Sequence, residues 1–224
     1  LDAAGAVRVP RVHGLGVDSG RAWLLLEYLE LGPADAGCRR RLGTALAALH
    51  RHTAERHGWH RDNTIGSTPQ PNGRDADWVR FLAEKRIGFQ LGLAGRNGYG
   101  RELGADGEAL LARLADFFAD YTPVPSLLHG DLWGGNFAAA DGEPVIYDPA
   151  VYYGDRETDI AMTELFGGFG SEFHSAYGEA WPLDTGYAMR RDLYQLYHVL
   201  NHLNLFGGGY LSRARALLRR LLAA

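Results

Sequence analysis

Two short apolar segments, residues 124–128 and 144–147, interrupt a long part of the sequence whose apolar spacing is typical of helices. Each segment is followed within a few residues by an aspartate, Asp131 after the first and Asp148 after the second. Short apolar runs bounded by Pro, Gly and Asp are typical of strands. Polar residues at strand ends are where sites tend to gather in α/β structures. The pattern predicts a mainly helical body with a little β-structure, and a site near these two strand ends.

The first thirty residues predict a β-hairpin. Residues 7–13 alternate apolar and polar side chains, and residues 22–29 form a dense apolar run that suits a buried strand. The glycines between residues 14 and 20 provide the turn. We therefore expect an α+β fold with two units, a β unit at residues 1–30 and a helical unit at residues 31–224.

The helical unit contains one long irregular segment, residues 58–77, which we interpret as a loop of about 20 residues, a length that usually indicates function or disorder. The clearest helical spacing is that of Leu193, Leu196, Tyr197, Leu200 and Leu203. His198 and His202 lie one helical turn apart there, but no third metal ligand follows, so we favour a packing role for them.

Composition excludes several classes of protein. The 23 Lys and Arg residues against 27 Asp and Glu give a net charge of −4, without the basic character expected of a nucleic-acid binder. No apolar run approaches the roughly 18 residues that a membrane span needs. The single cysteine, Cys38, rules out an internal disulfide and fits a reducing compartment, so we expect a cytoplasmic protein.

The strongest chemical signal is L-L-H-G-D-L-W-G-G-N at residues 127–136. His129, Asp131 and Asn136 have the H-x-D-x-x-x-x-N spacing of a kinase catalytic loop. In such a loop the Asp accepts the proton of the attacking hydroxyl, and the Asn turns back to hold a magnesium ion. The two glycines before the Asn allow that turn. The alternative is an ordinary turn after a strand.

A second signal is V-I-Y-D-P at residues 145–149. Asp148 follows Asn136 by twelve residues, where a kinase has the metal-binding Asp of its D-F-G motif. Pro149 replaces the Phe and fixes the backbone φ angle. Alone, Asp-Pro after a strand more often forms a turn, but with Asp131 upstream it predicts a second magnesium ligand, because magnesium prefers oxygen donors.

Two further candidates have open alternatives. The strand that ends at Glu27, Tyr28 and Leu29 lies where the backbone of a kinase hinge would bind adenine, and a plain core strand is the alternative. Trp133 lies inside a glycine-rich loop, where its ring either stacks on a substrate or simply packs against the protein.

Four segments together resemble the fructosamine kinase (ketosamine 3-kinase) family, which is similar to aminoglycoside and choline phosphotransferases and has a protein-kinase-like fold. They are residues 63–72, 129–136, 147–169 and 201–210. The resemblance implies ATP-dependent phosphorylation of the sugar 3-hydroxyl of ketosamines, such as fructosamine, ribulosamine or erythrulosamine adducts. The phosphorylated product releases the amine, so the reaction repairs glycated amines or proteins.

The resemblance also implies roles for individual residues. Asp131 would be the catalytic base, Asn136 and Asp148 the magnesium ligands, and the backbone of Glu27, Tyr28 and Leu29 the adenine site, with ATP and Mg²⁺ as cofactors. Trp133 and the segment 63–72 would border the sugar of a small ketosamine or a glycated protein. The acidic residues at positions 155, 157 and 159 we interpret as a helix start, where negative charge is favourable.

One departure from the family is large. Related kinases hold the phosphates with a glycine-rich loop and a lysine upstream of the hinge, whereas the one lysine here, Lys85, lies within a predicted helix well past residue 30. We therefore expect residues 1–30 to be a remnant of a small lobe, and this chain to bind ATP weakly and turn over poorly.

An uncovered apolar lobe face would in turn predict self-association. Two other functions remain open at this point: an aminoglycoside- or choline-type phosphotransferase, and a non-catalytic kinase-like binding protein.

Overall fold

A computed structural model describes residues 1–224 as a helical body with several short antiparallel strand pairs. The strands are Val12–Asp18 (β1), Arg21–Leu26 (β2), Asn63–Ile65 (β3), Thr68–Gln70 (β4), Ser126–Leu128 (β5), Phe137–Ala140 (β6), Glu143–Ile146 (β7) and Tyr152–Gly154 (β8). The α-helices are Ala36–His50 (α1), Trp78–Phe81 (α2), Gly88–Ala94 (α3), Gly100–Ala112 (α4), Glu157–Leu165 (α5), Gly170–Ala180 (α6), Tyr187–Phe206 (α7) and Leu211–Ala223 (α8). The predicted α+β class is confirmed.

The helical body has two apolar cores. In one, α7 packs against α5 and α8, and the predicted apolar face of α7 is buried throughout. In the other, α1 crosses α6 closely at Gly43. The lack of a side chain there allows the approach, since a Cβ would lie 2.3 Å from the Phe173 carbonyl oxygen. Asp35 caps α1 by accepting a hydrogen bond from the Cys38 amide at 2.7 Å. None of the helices combines the length and the apolar character that a membrane span requires.

The N-terminal hairpin forms, but two details of its prediction are wrong. Its first strand is β1 rather than residues 7–13, because Ser19 and Gly20 adopt positive φ and make a two-residue turn. The second strand, β2, is not buried: Leu24 and Leu25 are each 58 % exposed. The reason is that β1 and β2 pair only with each other and no helix packs on either face.

The strands around the predicted site form as expected. β5 pairs with β8, and β7 pairs with β6, so the chain leaves β5 toward residue 129 and leaves β7 toward residue 147. The segment 58–77 is more ordered than predicted, because it contains the hairpin of β3 and β4. These three strand pairs surround the candidate site.

Candidate active site

The loop after β5 is held by its own hydrogen bonds. The Asn136 side-chain amide donates to the Asp131 carbonyl oxygen at 2.9 Å, and lies 3.4 Å from both the Asp131 carboxylate and the Asp148 carbonyl. The Asn136 backbone amide donates to the Trp133 carbonyl at 2.9 Å. All three contacts use Nδ2, and no protein group donates a hydrogen bond to the Oδ1 oxygen of Asn136.

A cavity of about 370 Å³ brings four predicted site residues together. Asp131, Trp133, Asn136 and Asp148 all line it, joined by residues of the β3–β4 hairpin and of the segment after β7. No group of three or more His, Cys, Asp or Glu side chains could hold a metal ion by itself. The oxygens at this site are those of two aspartates and one amide.

The electrostatics of the cavity act mainly on Asp131. Burial raises the pKa of the Asp131 carboxyl to about 7, and the negative charges of Asp159 and Asp148 add to that effect, while the hydrogen bond from Asn136 opposes it. A carboxylate with a pKa near neutral pH is suited to take a proton from a hydroxyl group and hold it.

Asp148 lies at the end of β7 in a strained backbone conformation. Its φ of 53° is in the left-handed region, which few residues other than glycine adopt. This conformation turns the chain immediately after the strand. Two hydrogen bonds join this turn to the Asp131 loop: His129 Nε2 to the Tyr147 carbonyl at 3.0 Å, and the Ala150 amide to the His129 carbonyl at 2.8 Å.

The sequence reasoning missed Asp159. We expected it to serve only the start of a helix, but its fully buried carboxylate accepts hydrogen bonds from the backbone amides of His129 at 2.7 Å and Gly130 at 2.8 Å. His50 Nε2 donates to the same carboxylate at 3.1 Å. No motif marks this role, because the partners on the loop are backbone amides that any residue could supply.

Gly130 is required where the loop passes the turn after β7. Its φ is 84°, and a Cβ there would lie 2.1 Å from the Ala150 carbonyl oxygen. The loop and the turn can therefore approach each other this closely only with glycine at position 130.

Trp133 both packs and faces the cavity. Its ring lies over Gly135, where a Cβ would come within 2.3 Å of the indole, and it meets Phe166 edge-on at 6.3 Å between ring centres. The side chain is nevertheless 41 % exposed. The two readings left open by the sequence, packing and substrate contact, are therefore compatible.

The predicted hinge residues lie outside the Asp131 cavity. The Glu27 amide donates to the Arg11 carbonyl at 2.7 Å, and Tyr28 is 90 % exposed. An apolar cavity of about 380 Å³ lies between β2 and the end of β7, and Asp148 lines both this cavity and that of Asp131. Lys85 lies in a π-helical turn, Leu82–Ile87, and lines neither cavity.

The fructosamine kinase family model matches residues 1–224. The chain belongs to the fructosamine kinase family. Membership of this kinase family makes the protein an ATP-dependent phosphotransferase.

Relatives in the fructosamine kinase family match nearly the whole chain. A Synechocystis protein named as a ketoamine kinase is 46% identical over 224 residues, which are 99% of this chain and 75% of the relative. A protein-ribulosamine 3-kinase from Arabidopsis thaliana is 44% identical over 217 residues, covering 95% of this chain and 66% of the relative.

Solved structures agree with the family assignment. A Haemophilus somnus protein described as a fructosamine-3-kinase superposes with a TM-score of 0.91 at 32% identity, covering 99% of this chain and 75% of that one. An aminoglycoside phosphotransferase superposes with a TM-score of 0.62 at 15% identity, covering 97% of this chain and 78% of that one. The second match shows the fold alone, and the predicted protein-kinase-like fold is confirmed.

Proposed function

We propose that this protein transfers the γ-phosphoryl group of ATP to the sugar 3-hydroxyl of a ketosamine, a step that leads to removal of the sugar from the amine. The observation that carries the proposal is the Asp131 carboxylate, which shares one cavity with the oxygens of Asn136 and Asp148 and the ring of Trp133. The names of the relatives, ketoamine kinase and protein-ribulosamine 3-kinase, support the choice of acceptor.

Asp131 acts as the catalytic base in this proposal. It orients the attacking hydroxyl group and accepts its proton as the bond to phosphorus forms. The raised pKa of its carboxyl supports the role, since the proton can be held at neutral pH and then released. The hydrogen bond from Asn136 and the loop hydrogen bonds to Asp159 keep the carboxylate in place.

Asn136 and Asp148 are the proposed magnesium ligands. The residues fit the ion, because the free Oδ1 of Asn136 and the carboxylate of Asp148 are both hard oxygen donors on the same cavity. Two protein ligands are sufficient, since magnesium usually completes its shell with water and phosphate oxygens. When bound, ATP would supply the phosphoryl group, and Mg²⁺ would offset the negative charge of the phosphates.

The acceptor sugar lies against Trp133 and the hairpin of β3 and β4 in this proposal. An indole presents a flat apolar face that stacks on the C–H face of a sugar, and half-exposure leaves the ring available. Thr64 and Gly66 also line the cavity and would limit the size of the sugar. Glycated proteins and small ketosamines are both proposed substrates.

Adenine binds to the backbone of residues 27–29 in this proposal. The Glu27 amide is already used by Arg11, but the backbone groups of Tyr28 and Leu29 make no hydrogen bond within the protein. Those free groups support a hinge role, and the apolar cavity beside β2 suits a flat aromatic ring. The weak ATP binding expected from the position of Lys85 stays a prediction, as does the cytoplasmic location.

Residues 1–30 and 31–224 are proposed as two units, and the β unit is proposed as a surface for self-association. Its large apolar side chains are exposed on both faces of the hairpin: Val12, Leu15, Val17, Trp23, Leu24 and Leu25. Patches of this kind favour association. Light scattering over a range of protein concentrations tests the proposal, and a constant monomer mass would contradict it.

The test of the activity uses a lysine-containing peptide that carries ribulosyl, fructosyl or erythrulosyl adducts, with a high concentration of Mg-ATP. We expect mass spectrometry to show the gain of one phosphate, followed by return of the unmodified peptide. Asp131→Asn should abolish both changes, whereas Asp120→Asn, at an exposed position away from the cavity, should not. Phosphorylation of aminoglycosides or choline, with no change in any adduct, would contradict the proposal.

A further inference from the structure

Arg86 is a buried cation with no acidic partner. It lies in the π-helical turn Leu82–Ile87 and is fully buried. Its guanidinium lies 3.9 Å from the centre of the Tyr152 ring and makes no ion pair. It donates instead to the Pro71 carbonyl and to Asn72 Oδ1, both at 2.7 Å. A buried charge without a counter-charge is costly, so the contacts that it makes call for an explanation.

The first line of contacts runs from Arg86 to the backbone beyond Asp148. Asn72 Nδ2 donates to Asn63 Oδ1 at 2.6 Å, and Asn63 Nδ2 donates to the Val151 carbonyl at 2.8 Å. Arginine can only donate hydrogen bonds. It therefore holds the oxygen of Asn72 toward itself, and this fixes the orientation of each amide that follows.

A second line of contacts meets the first at Asn63. The buried Tyr197 hydroxyl donates to Gln70 Oε1 at 2.7 Å. Gln70 Nε2 then donates to Asn63 Oδ1 at 2.8 Å and to the Ala150 carbonyl at 3.1 Å. Both lines therefore end on the backbone carbonyls of residues 150 and 151.

These contacts join two of the segments that line the catalytic cavity. Thr64 and Gly66, between the network residues Asn63 and Gln70, belong to one lining segment, and Asp148 and Ala150 belong to the other. No catalytic atom belongs to the network. The network instead fixes how far the β3–β4 hairpin lies from the segment 148–151.

We propose that Arg86 is a positioning residue for the acceptor substrate: by fixing the amides of residues 63, 70 and 72, it holds the β3–β4 hairpin at the distance that the sugar requires. The inference rests on the proposed function for its kinetic consequence. Loss of Arg86 should raise the KM for the ketosamine and lower kcat/KM for it by about tenfold or more, because misplaced contacts lose catalytic orientation. The KM for ATP should change much less, since the hairpin does not line the apolar cavity beside β2.

Two variants and one control test this proposal. Arg86→Met removes the donors, while Arg86→Lys retains a cation that only donates and should restore part of the acceptor affinity. Leu217→Ala in α8, another fully buried position, is the control for general destabilisation. All kinetics are measured below the unfolding temperature of each variant. Hydrogen exchange of the amides in residues 63–72 gives a readout that does not depend on activity.

The expected result is a higher acceptor KM and faster exchange in residues 63–72 for Arg86→Met, smaller effects for Arg86→Lys, and neither effect for Leu217→Ala. An unchanged acceptor KM in active Arg86 variants would overturn the inference, and so would unchanged exchange in the hairpin. If the unmodified protein phosphorylates no ketosamine, the proposed function fails and the exchange experiment alone decides on Arg86. If Arg86→Met does not fold, the comparison of Arg86→Lys with the unmodified protein decides.

Discussion

Replacing Asp159 by Asn should weaken both the fold and the catalytic loop. The carboxylate now accepts two backbone amides, those of His129 and Gly130, and a third hydrogen bond from His50. An asparagine has a single acceptor oxygen, so its NH₂ group would face a backbone amide of the loop. Both of these groups are donors and cannot form a hydrogen bond with each other. One buried N–H of the loop would then lose its partner.

The size of the effect follows from these contacts. Leaving one buried N–H unpaired costs about 1–3 kcal/mol, and a hydrogen bond to a neutral oxygen is weaker than one to a carboxylate by about 1 kcal/mol. We therefore expect Asp159→Asn to lower the free energy of unfolding by about 2–4 kcal/mol. The loop that carries Asp131 would also move, so kcat should fall by about tenfold or more.

The assay is urea denaturation followed by fluorescence, together with phosphorylation kinetics at a temperature where the variant is folded. Asp155→Asn is a matched control, because Asp155 is equally buried but only one of its two oxygens accepts from a backbone amide. Oδ1 accepts from the Glu157 amide and the Tyr121 hydroxyl, and Oδ2 accepts from the Tyr194 hydroxyl alone. The asparagine can keep its oxygen at the Glu157 amide and donate its NH₂ to the Tyr194 hydroxyl, which can rotate to accept, so this change should cost only about 1 kcal/mol. Equal losses for the two variants, or an unaltered kcat for Asp159→Asn, would refute the reasoning.

Two other predictions test the packing and the titration of the core. Gly130→Ala should lower the free energy of unfolding by about 2–4 kcal/mol, because its Cβ meets the Ala150 carbonyl at a positive φ. The control is Gly142→Ala, also at a positive φ but in open space, which should cost about 1–2 kcal/mol. Urea denaturation measures both losses, and equal losses would argue against the clash. Burial lowers the pKa of His198 to about 3, so the unfolded chain binds the extra proton below about pH 6.5 and the folded protein loses stability as the pH falls. Between pH 7 and pH 5 this loss of stability is about 2 kcal/mol. The urea midpoint of His198→Leu should therefore fall less over that range than the midpoint of the unmodified protein. An equal fall of the midpoint in the two proteins would exclude the effect.

Features of the site that depend on neighbouring residues in the chain could be predicted from the sequence. The strands β5 and β7 are short apolar runs bounded by turn residues, and the loop at 129–136 contains its own glycines and its own hydrogen-bonding Asn. The apolar face of α7 follows the helical period. In each case the residues that determine the structure lie within one turn or one strand of each other.

Features that depend on a distant partner could not be predicted in the same way. The dense apolar run at β2 is typical of a buried strand, yet burial needs a second layer, and none packs on this hairpin. Arg86 carries no sequence signal at all, because its partners are an amide side chain, a carbonyl and aromatic rings rather than an acid. Only the fold shows which groups meet a buried charge.

Asp159 and Arg86 stabilise the site in the same physical way. Each brings a buried charged group from a helical segment to a part of the chain outside the helices, Asp159 to the loop at 129–130 and Arg86 to the segment 63–72. A carboxylate accepts and a guanidinium donates, so the two groups can orient backbone amides in one case and side-chain amides and carbonyls in the other. Burying such groups carries a large desolvation free energy, and apolar side chains of equal volume would often give a more stable fold. Apolar packing does not fix the direction of a hydrogen bond, however, and the cavity between Asp131 and the β3–β4 hairpin depends on those directions.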